Sequence, residues 1–303
     1  MLKRLFTVLI TVLTVSVVIF LLLRIVPEDP IELMTGPRVS DEAVAKLKSR
    51  WGLDKPLHMQ YFTWISRMVQ GDFGVSIVTQ EKVSRLIRSR LPYTLGLTTA
   101  GMIISLLLGV PAGVISALRQ YSGLDYSVTF LSFLWLSMPS FWLGILLMLF
   151  FGLYLRWLPI SGYQGWTSFI LPAFTLGLPQ LGRITRLMRT EMLEVKREEF
   201  IMACRAKGLK ERTVIFLHAL RNSIIPIVVF QFLYLPWLIG GAVVVETVFS
   251  WPGMGRLLYD SIVTQDFPVV QSLILIIAIL TGISNFLGDL VAAYLDPRIR
   301  LEG

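Results

Sequence analysis

From Leu5 to Leu23 the chain runs without a charged side chain, and that run constrains the fold more than any other feature of the sequence. At 1.5 Å of rise per residue it reaches across the ~30 Å hydrocarbon core of a bilayer. Lys3 and Arg4 precede it, and Arg24 and Val26-Pro27 follow directly. A cleaved secretory signal has a shorter apolar core and a small-residue cleavage site, so the run predicts an uncleaved first span with its N-terminus inside. Composition extends the reading to the whole chain. With 54% hydrophobic and 16% charged residues and a mean hydropathy of +0.69, it is too apolar for an ordinary soluble domain. The formal charge is +8, but the basic residues flank apolar runs and do not interleave with aromatics on a soluble platform. That pattern fits anionic lipid headgroups and cytoplasmic retention, with no nucleic acid partner. The single cysteine, Cys204, excludes an intrachain disulfide and a Cys-based zinc framework.

Taken in order, residues 27–91 read as one long extracytoplasmic segment. Loops longer than about 60 residues translocate largely regardless of charge, so its Lys and Arg do not hold it inside. Ser40 and Glu42 ahead of Val44, Leu47 and Trp51 predict a capped amphipathic helix; Met59, Phe62, Ile65, Met68 and Val69 predict another. Gly71-Asp72-Phe73-Gly74 shares its letters with a kinase metal-binding tripeptide but lacks every other kinase motif, and reads as a turn. The second span runs from about Thr94 to Leu118. Its Gly101, Ser105, Gly109 and Gly113 fall every fourth residue and form a stripe for close helix packing. Arg119 and Asp125 bound a tight turn. The apolar run from Tyr126 to Leu155 is too long for one upright helix and is expected to kink at Met138-Pro139 or to tilt. A fourth span, Ile170 to about Leu187, carries Pro172 and Pro179 and ends in Arg183 and Arg186; such a broken helix is expected to line a pathway. Ile224–Val248 is the expected fifth span, with Glu246 near its outer end, where a charge is not at the midplane. Val269–Ala293 is the sixth. The expected fold is all-α and polytopic: a transmembrane helix at 1–26, the outer segment at 27–91, and a five-helix core at 92–303, with both termini cytoplasmic.

The polar interruption from Arg183 to Pro226 is unlike an ordinary solvated loop. Phe200, Ala203, Cys204 and Lys207 share one helical face, and Gly208 follows as a stop. A second apolar set at Val214, Ile215, Leu217 and His218 restarts the pattern until Arg221-Asn222. The positive-inside rule accounts for the charge but not for two amphipathic helices whose apolar faces have no partner in water. The pattern predicts a loop gripped by another protein.

Those residues also carry a resemblance. AxRAKG at 203–208, then Leu209 to Leu217, then HxLRN at 218–222 and Pro226 resemble the coupling loop of ABC importer permeases, in the version carried by dipeptide, oligopeptide and nickel transporters. Met202 stands near where the general pattern has a glutamate. ETVFSWPGMGRLLYDSIVTQDFPVVQ at 246–271 resembles the family's outer segment between spans five and six; GLDKPL, GDFG and RLP resemble its extracytoplasmic cap, and LDPRIR its C-terminal end. WLPISGYQGW is similar to nickel-type members. The resemblance implies a type I ABC importer fold and a non-catalytic subunit that forms the pathway for peptides or metal chelates with a second, homologous permease, as a heterodimer. Two ATPase subunits, which hold ATP and magnesium, would bind the loop at 190–223 through Phe200, Ala203, Cys204, Ala206, Lys207, Gly208, His218, Arg221 and Asn222. An extracytoplasmic solute-binding protein would dock on the outer segment, marked by Glu246, Pro252, Gly253, Gly255 and Asp266. The location implied is the bacterial inner membrane.

No G-x-x-x-x-G-K-[ST] occurs, so the chain has no phosphate cradle of its own for ATP. H-E-x-x-H and G-x-S-x-G are absent too, and the two histidines, His58 and His218, fall in loops expected on opposite membrane faces, which excludes a shared metal site. An ion-gradient-driven secondary transporter or channel is the alternative reading. It calls for midplane charges and inverted repeats, neither of which stands out. A membrane-embedded enzyme lacks a recognisable nucleophile or metal set.

Overall fold

The computed structural model describes residues 2–25 and 55–295. The capped helix expected from Ser40 to Trp51 and the segment after Leu295 lie outside the described residues. Among the described residues the fold is helical without strands, and an isolated antiparallel bridge joins Val75 and Lys82. In chain order the helices are α1 (Leu2–Ile25), α2 (Leu57–Val69), α3 (Val83–Leu118), α4 (Gly123–Ser137), α5 (Ser140–Leu147, continued by a π-helical stretch Met148–Tyr154), α6 (Ile170–Val195), α7 (Glu199–Ala206), α8 (Glu211–Leu233), α9 (Leu235–Val248), α10 (Met254–Val263) and α11 (Phe267–Leu295). The described residues fall into two compact units, one within Met1–Pro92 and Leu257–Gly282, the other within Tyr93–Arg256 and Ile283–Gly303.

In the first unit, α2 seats its aromatic face on α1. Tyr61 and Trp64 meet the buried Phe20 ring at centroid distances of 5.3 and 5.8 Å, and the Tyr61 hydroxyl shares a 2.8 Å hydrogen bond with Ser16. Of the apolar residues expected to define this helix, Met68 is buried, whereas Met59, Phe62 and Val69 are exposed. Gln60, Thr63 and Arg67 make up a polar side of the helix, and the ring contacts of Tyr61 and Trp64 mark its inner face. The helix ends as read. The Gly71 and Asp72 amides donate to the Met68 and Arg67 carbonyls, with Gly71 at φ +79°, a Schellman cap that opens the GDFG turn.

The second unit is organised around α6, which contacts α4, α5, α8 and α9. The stripe on α3 is a packing face, as its spacing predicts. A Cβ on Gly109 would lie 2.9 Å from Ile184, and one on Gly113 would lie 2.6 Å from Met188 and from the Thr185 carbonyl. Only glycine admits so close a backbone approach. The α3–α4 turn is tied to α6 by a bidentate ion pair. Arg189 Nε and Nη2 donate to the two Asp125 oxygens at 2.7 and 2.8 Å, and Ser116 Oγ and the Tyr121 amide also donate to that buried carboxylate.

Among the described residues, four helices are long and apolar enough to cross a bilayer: Arg4–Leu23, Val83–Leu118, Glu211–Leu233 and Phe267–Leu295. Gly123–Ser137 and Ser140–Tyr154 pass the same test together, bent by 108°, which brings the count to five where the sequence reading expects six. The break falls at Met138-Pro139, because a residue before proline is pushed out of the helical region: Met138 is extended at φ −82°, ψ 127°. α6 is helical where the fourth span was expected, and half of its residues are buried; Thr175, Gln180 and Thr185 are among them, enclosed by protein. The expected fifth span is split. Its helix begins at Glu211 and ends at Leu233, and Leu235–Val248 is a separate shorter helix after Tyr234. Pro236 sits in the first turn of that helix, where a missing N–H is harmless.

Candidate functional site

The loop between α6 and α8 has the Gly-capped first helix its sequence predicts, with a different division of faces. α7 ends in a Schellman cap. The Gly208 amide donates to the Arg205 carbonyl at 2.9 Å, the Leu209 amide to the Cys204 carbonyl at 3.3 Å, and Gly208 sits at φ +74° with open space around its Cα. Glycine is required here by conformation and not by crowding. Across the turn, Arg205 donates two hydrogen bonds to Glu211, at 2.8 and 3.2 Å; that contact holds the guanidinium above its ordinary range. α7 is anchored inward by Ile201, fully buried, with Cys204 half-buried beside it. Phe200, Ala203, Ala206, Lys207 and Gly208 face solvent. Cys204 thus stands at the edge of the expected face, turned toward the core.

The second half of the loop is no separate helix. Glu211–Thr213, the π-helical stretch Val214–Ala219 and Leu220–Leu233 form one rod that carries straight through Pro226. The π-helical turns shift the repeat, so Val214 and Ala219 are buried while Phe216 and Leu217 are exposed at 55% and 57%. Arg221 and Asn222 are exposed, His218 is half-buried, and Asn222 Nδ2 donates to the His218 carbonyl at 2.7 Å. Met202, Leu209 and Phe216, all exposed, join the apolar surface and were missed by the sequence reading, which looked for a strict 3.6 repeat. The result is a capped loop that leaves several apolar side chains exposed together with Lys207, Arg212 and Arg221.

The expected outer-segment residues are placed differently. Glu246 is fully buried. Its Oε1 accepts from Thr94 Oγ1 at 2.6 Å, and its Oε2 accepts from the amides of Gly255 and Arg256 at 2.6 and 3.2 Å. From the end of the preceding helix, α9, the carboxylate caps the N-terminus of α10, where the helix dipole favours negative charge. Thr94 completes the cap by accepting from the Met254 amide at 2.8 Å. The glycines of PGMG follow from this geometry: a Cβ on Gly253 would fall 2.2 Å from the carboxylate, and one on Gly255 would fall 2.4 Å from Val243 Cα. Trp251, 1% exposed, is enclosed by the rings of Tyr93, Tyr163 and Phe169 at 6.0, 5.4 and 5.3 Å, so the WLPISGYQGW stretch supplies packing for WPGMG. In the other unit Asp266 is also buried; it accepts from Ser76 Oγ and from the Ile77 amide at 3.1 Å. Pro252 is half-buried. Glu246, Gly253, Gly255 and Asp266 therefore shape their segments from within and offer no surface for direct contact.

Within the second unit a cavity of about 510 Å³ opens beside the Met138-Pro139 break, against α6 and the start of α9. Gln180, Arg183, Tyr234, Trp237 and Gly240 are among its lining residues. Arg183 stacks its guanidinium over the Tyr234 ring at 4.8 Å, and Tyr234 stacks on Trp237 at 6.4 Å. The sequence pointed to α6 as pathway-lining from its prolines; nothing in it marked the aromatic wall. Among the described residues no group of His, Cys, Asp and Glu could hold a metal ion.

Two family models together cover most of the chain. The binding-protein-dependent transport system inner membrane component matches residues 109–301, and the N-terminal part of such components matches residues 1–98. The oligopeptide transport system permease protein AppB of Bacillus subtilis is 39% identical over 95% of this chain and 94% of its own length. The glutathione transport system permease protein GsiC of Salmonella paratyphi A is 39% identical over 99% of this chain and 98% of its own. Among solved structures, the methionine ABC transporter MetNI in an inward-facing conformation shares the fold at a TM-score of 0.60 and 19% identity, covering 70% of this chain and 96% of that chain. With an all-helical fold, a capped loop bearing open apolar side chains and these full-length relatives, the chain belongs to the inner membrane components of binding-protein-dependent transport systems, as a permease subunit of an ABC importer.

Proposed function

We propose that this permease couples to its ATPase subunits through the loop at 190–223 and lines its half of the pathway with the cavity beside α6. The carrying observation is the cluster of exposed Phe200, Met202, Leu209, Phe216 and Leu217 on a frame held by the Gly208 cap and the Arg205–Glu211 pair. Apolar side chains in water on a polar loop gain roughly 1.5–3 kcal/mol each when fully covered. A rigid mount lets the covering partner move the loop as a lever. ATP binding then shifts the permease between its states only as far as the ATPase contacts differ between them.

In this reading a second permease subunit completes the pathway as a heterodimer, both termini are cytoplasmic, and an extracytoplasmic solute-binding protein docks on surfaces that Glu246 and Asp266 hold in shape. Residues 1–26, 27–91 and 92–303 serve as the first span, the outer segment and the translocating core. This chain binds no cofactor, and ATP with magnesium resides on the ATPase subunits. Peptides, glutathione included, are the substrate class supported by the relatives' transport systems. The test is the double substitution Phe216→Asp with Leu217→Asp. The variant is expected to insert and fold normally but to lose co-purification with the ATPase subunits; undiminished co-purification would overturn the reading.

A further inference from the structure

The α6 cavity holds a cation with no anion to match it. Arg183 lines the cavity, is half-buried, and makes no ion pair with a carboxylate among the described residues; its contact there is the Tyr234 ring face. No Asp or Glu is among the residues that line the cavity. Gln180 is 1% exposed and donates through Nε2 to Gln231 at 3.1 Å, while its Oε1 has no hydrogen-bond partner among the described residues. A half-buried guanidinium with no carboxylate beside it, in a cavity lined largely by apolar side chains, is costly unless something that enters supplies the negative charge. Beside it, Tyr234 and the 72% exposed Trp237 stack their rings, and Gly240 leaves space, since a Cβ there would meet nothing within 4 Å.

The other cations of this helix are placed differently. Arg186 sits over the Phe133 ring at 4.3 Å and is exposed, and Arg189 is neutralised by Asp125. An arginine kept only for the positive-inside bias needs neither a cavity nor an aromatic wall.

We propose that this cavity is a carboxylate subsite of the pathway: Arg183 receives the carboxylate of the passing solute in a planar, two-pronged contact, and Tyr234 and Trp237 cover its apolar portion. The proposal rests on the importer reading and adds the chemical group that the pathway selects.

The experiment uses the full complex of both permeases and the ATPase subunits, free of its binding protein so that only the pathway discriminates. The probes are trialanine and trialanine amide, which differ in the terminal carboxylate. Wild type is expected to bind the acid more tightly than the amide by about tenfold or more, the worth of one charge-assisted hydrogen-bonded pair. Arg183→Gln is expected to erase that preference, and Arg183→Lys to keep part of it. Gly240→Leu, which fills the cavity where space is open and improves helix propensity, is expected to weaken binding of both probes in a folded complex. An equal preference in Arg183→Gln and wild type overturns the proposal, as does a wild type that binds the acid no better than the amide, including by binding neither. ATP-driven uptake by the complete system in vesicles, measured separately, reports on the importer reading itself, so the two can fail independently.

Discussion

Residues 199–222 leave phenylalanines and leucines in the open, whereas the segment from Glu246 to Asp266 buries the carboxylates at its two ends. Both stretches resemble their family closely in sequence, and both are built around glycines at chain reversals. In the first, Gly208 is free of neighbours and is needed for a left-handed turn; in the second, Gly253 and Gly255 are needed because a carboxylate and a helix backbone stand where their side chains would be. One glycine shapes an exposed surface, and the other two shape an interior. A sequence motif marks both kinds of position, and only burial separates them.

The sharpest break of that contrast lies at Glu246. Glu246→Leu removes the acceptor for the Thr94 hydroxyl and for the Gly255 and Arg256 amides. Each orphaned buried donor costs about 1–3 kcal/mol, so the variant is expected to be largely lost from the membrane as folded protein, read by gel filtration of a fluorescent fusion. A Glu246→Leu protein of normal yield and thermal stability would mean that the carboxylate is not structural. Gly208→Val is expected to act more mildly on folding, by ~1–2 kcal/mol for a β-branched residue held in the left-handed region, yet to reduce substrate-stimulated ATPase activity of the complex strongly. The reverse pattern, poor folding with normal coupling, would place Gly208 with the interior glycines. Smallest is Arg205→Ala. Exposed ion pairs are worth about 0–1 kcal/mol, so thermal stability should barely move, while hydrogen exchange at Leu209 and its neighbours should rise as the turn loosens.

How much of this was legible in the sequence follows from which forces set each element. The apolar runs, the α3 glycine stripe and the Gly208 cap were readable because each depends on local chemistry: hydrocarbon length, small side chains every fourth residue, a left-handed turn. The break at Met138-Pro139 was readable for the same reason, though not its 108° bend. Long-range contacts were not readable. Nothing near Glu246 in the sequence names Thr94 as its partner, and nothing near Asp125 names Arg189. The exposed Phe216 escaped because π-helical turns reset the phase of the helix, and the polar α6 escaped as a buried hub because hydropathy measures kinship with lipid, while its neighbours are protein.

The central claim is that the apolar face of the 190–223 loop is covered by the ATPase subunits. A single cysteine at Phe216→Cys, in a Cys204→Ala background, reports on it directly through a thiol reagent applied from the cytoplasmic side of membrane vesicles. The account predicts ready labelling of the permease pair alone and strong protection once the ATPase subunits are bound. Equal labelling in both states would contradict it.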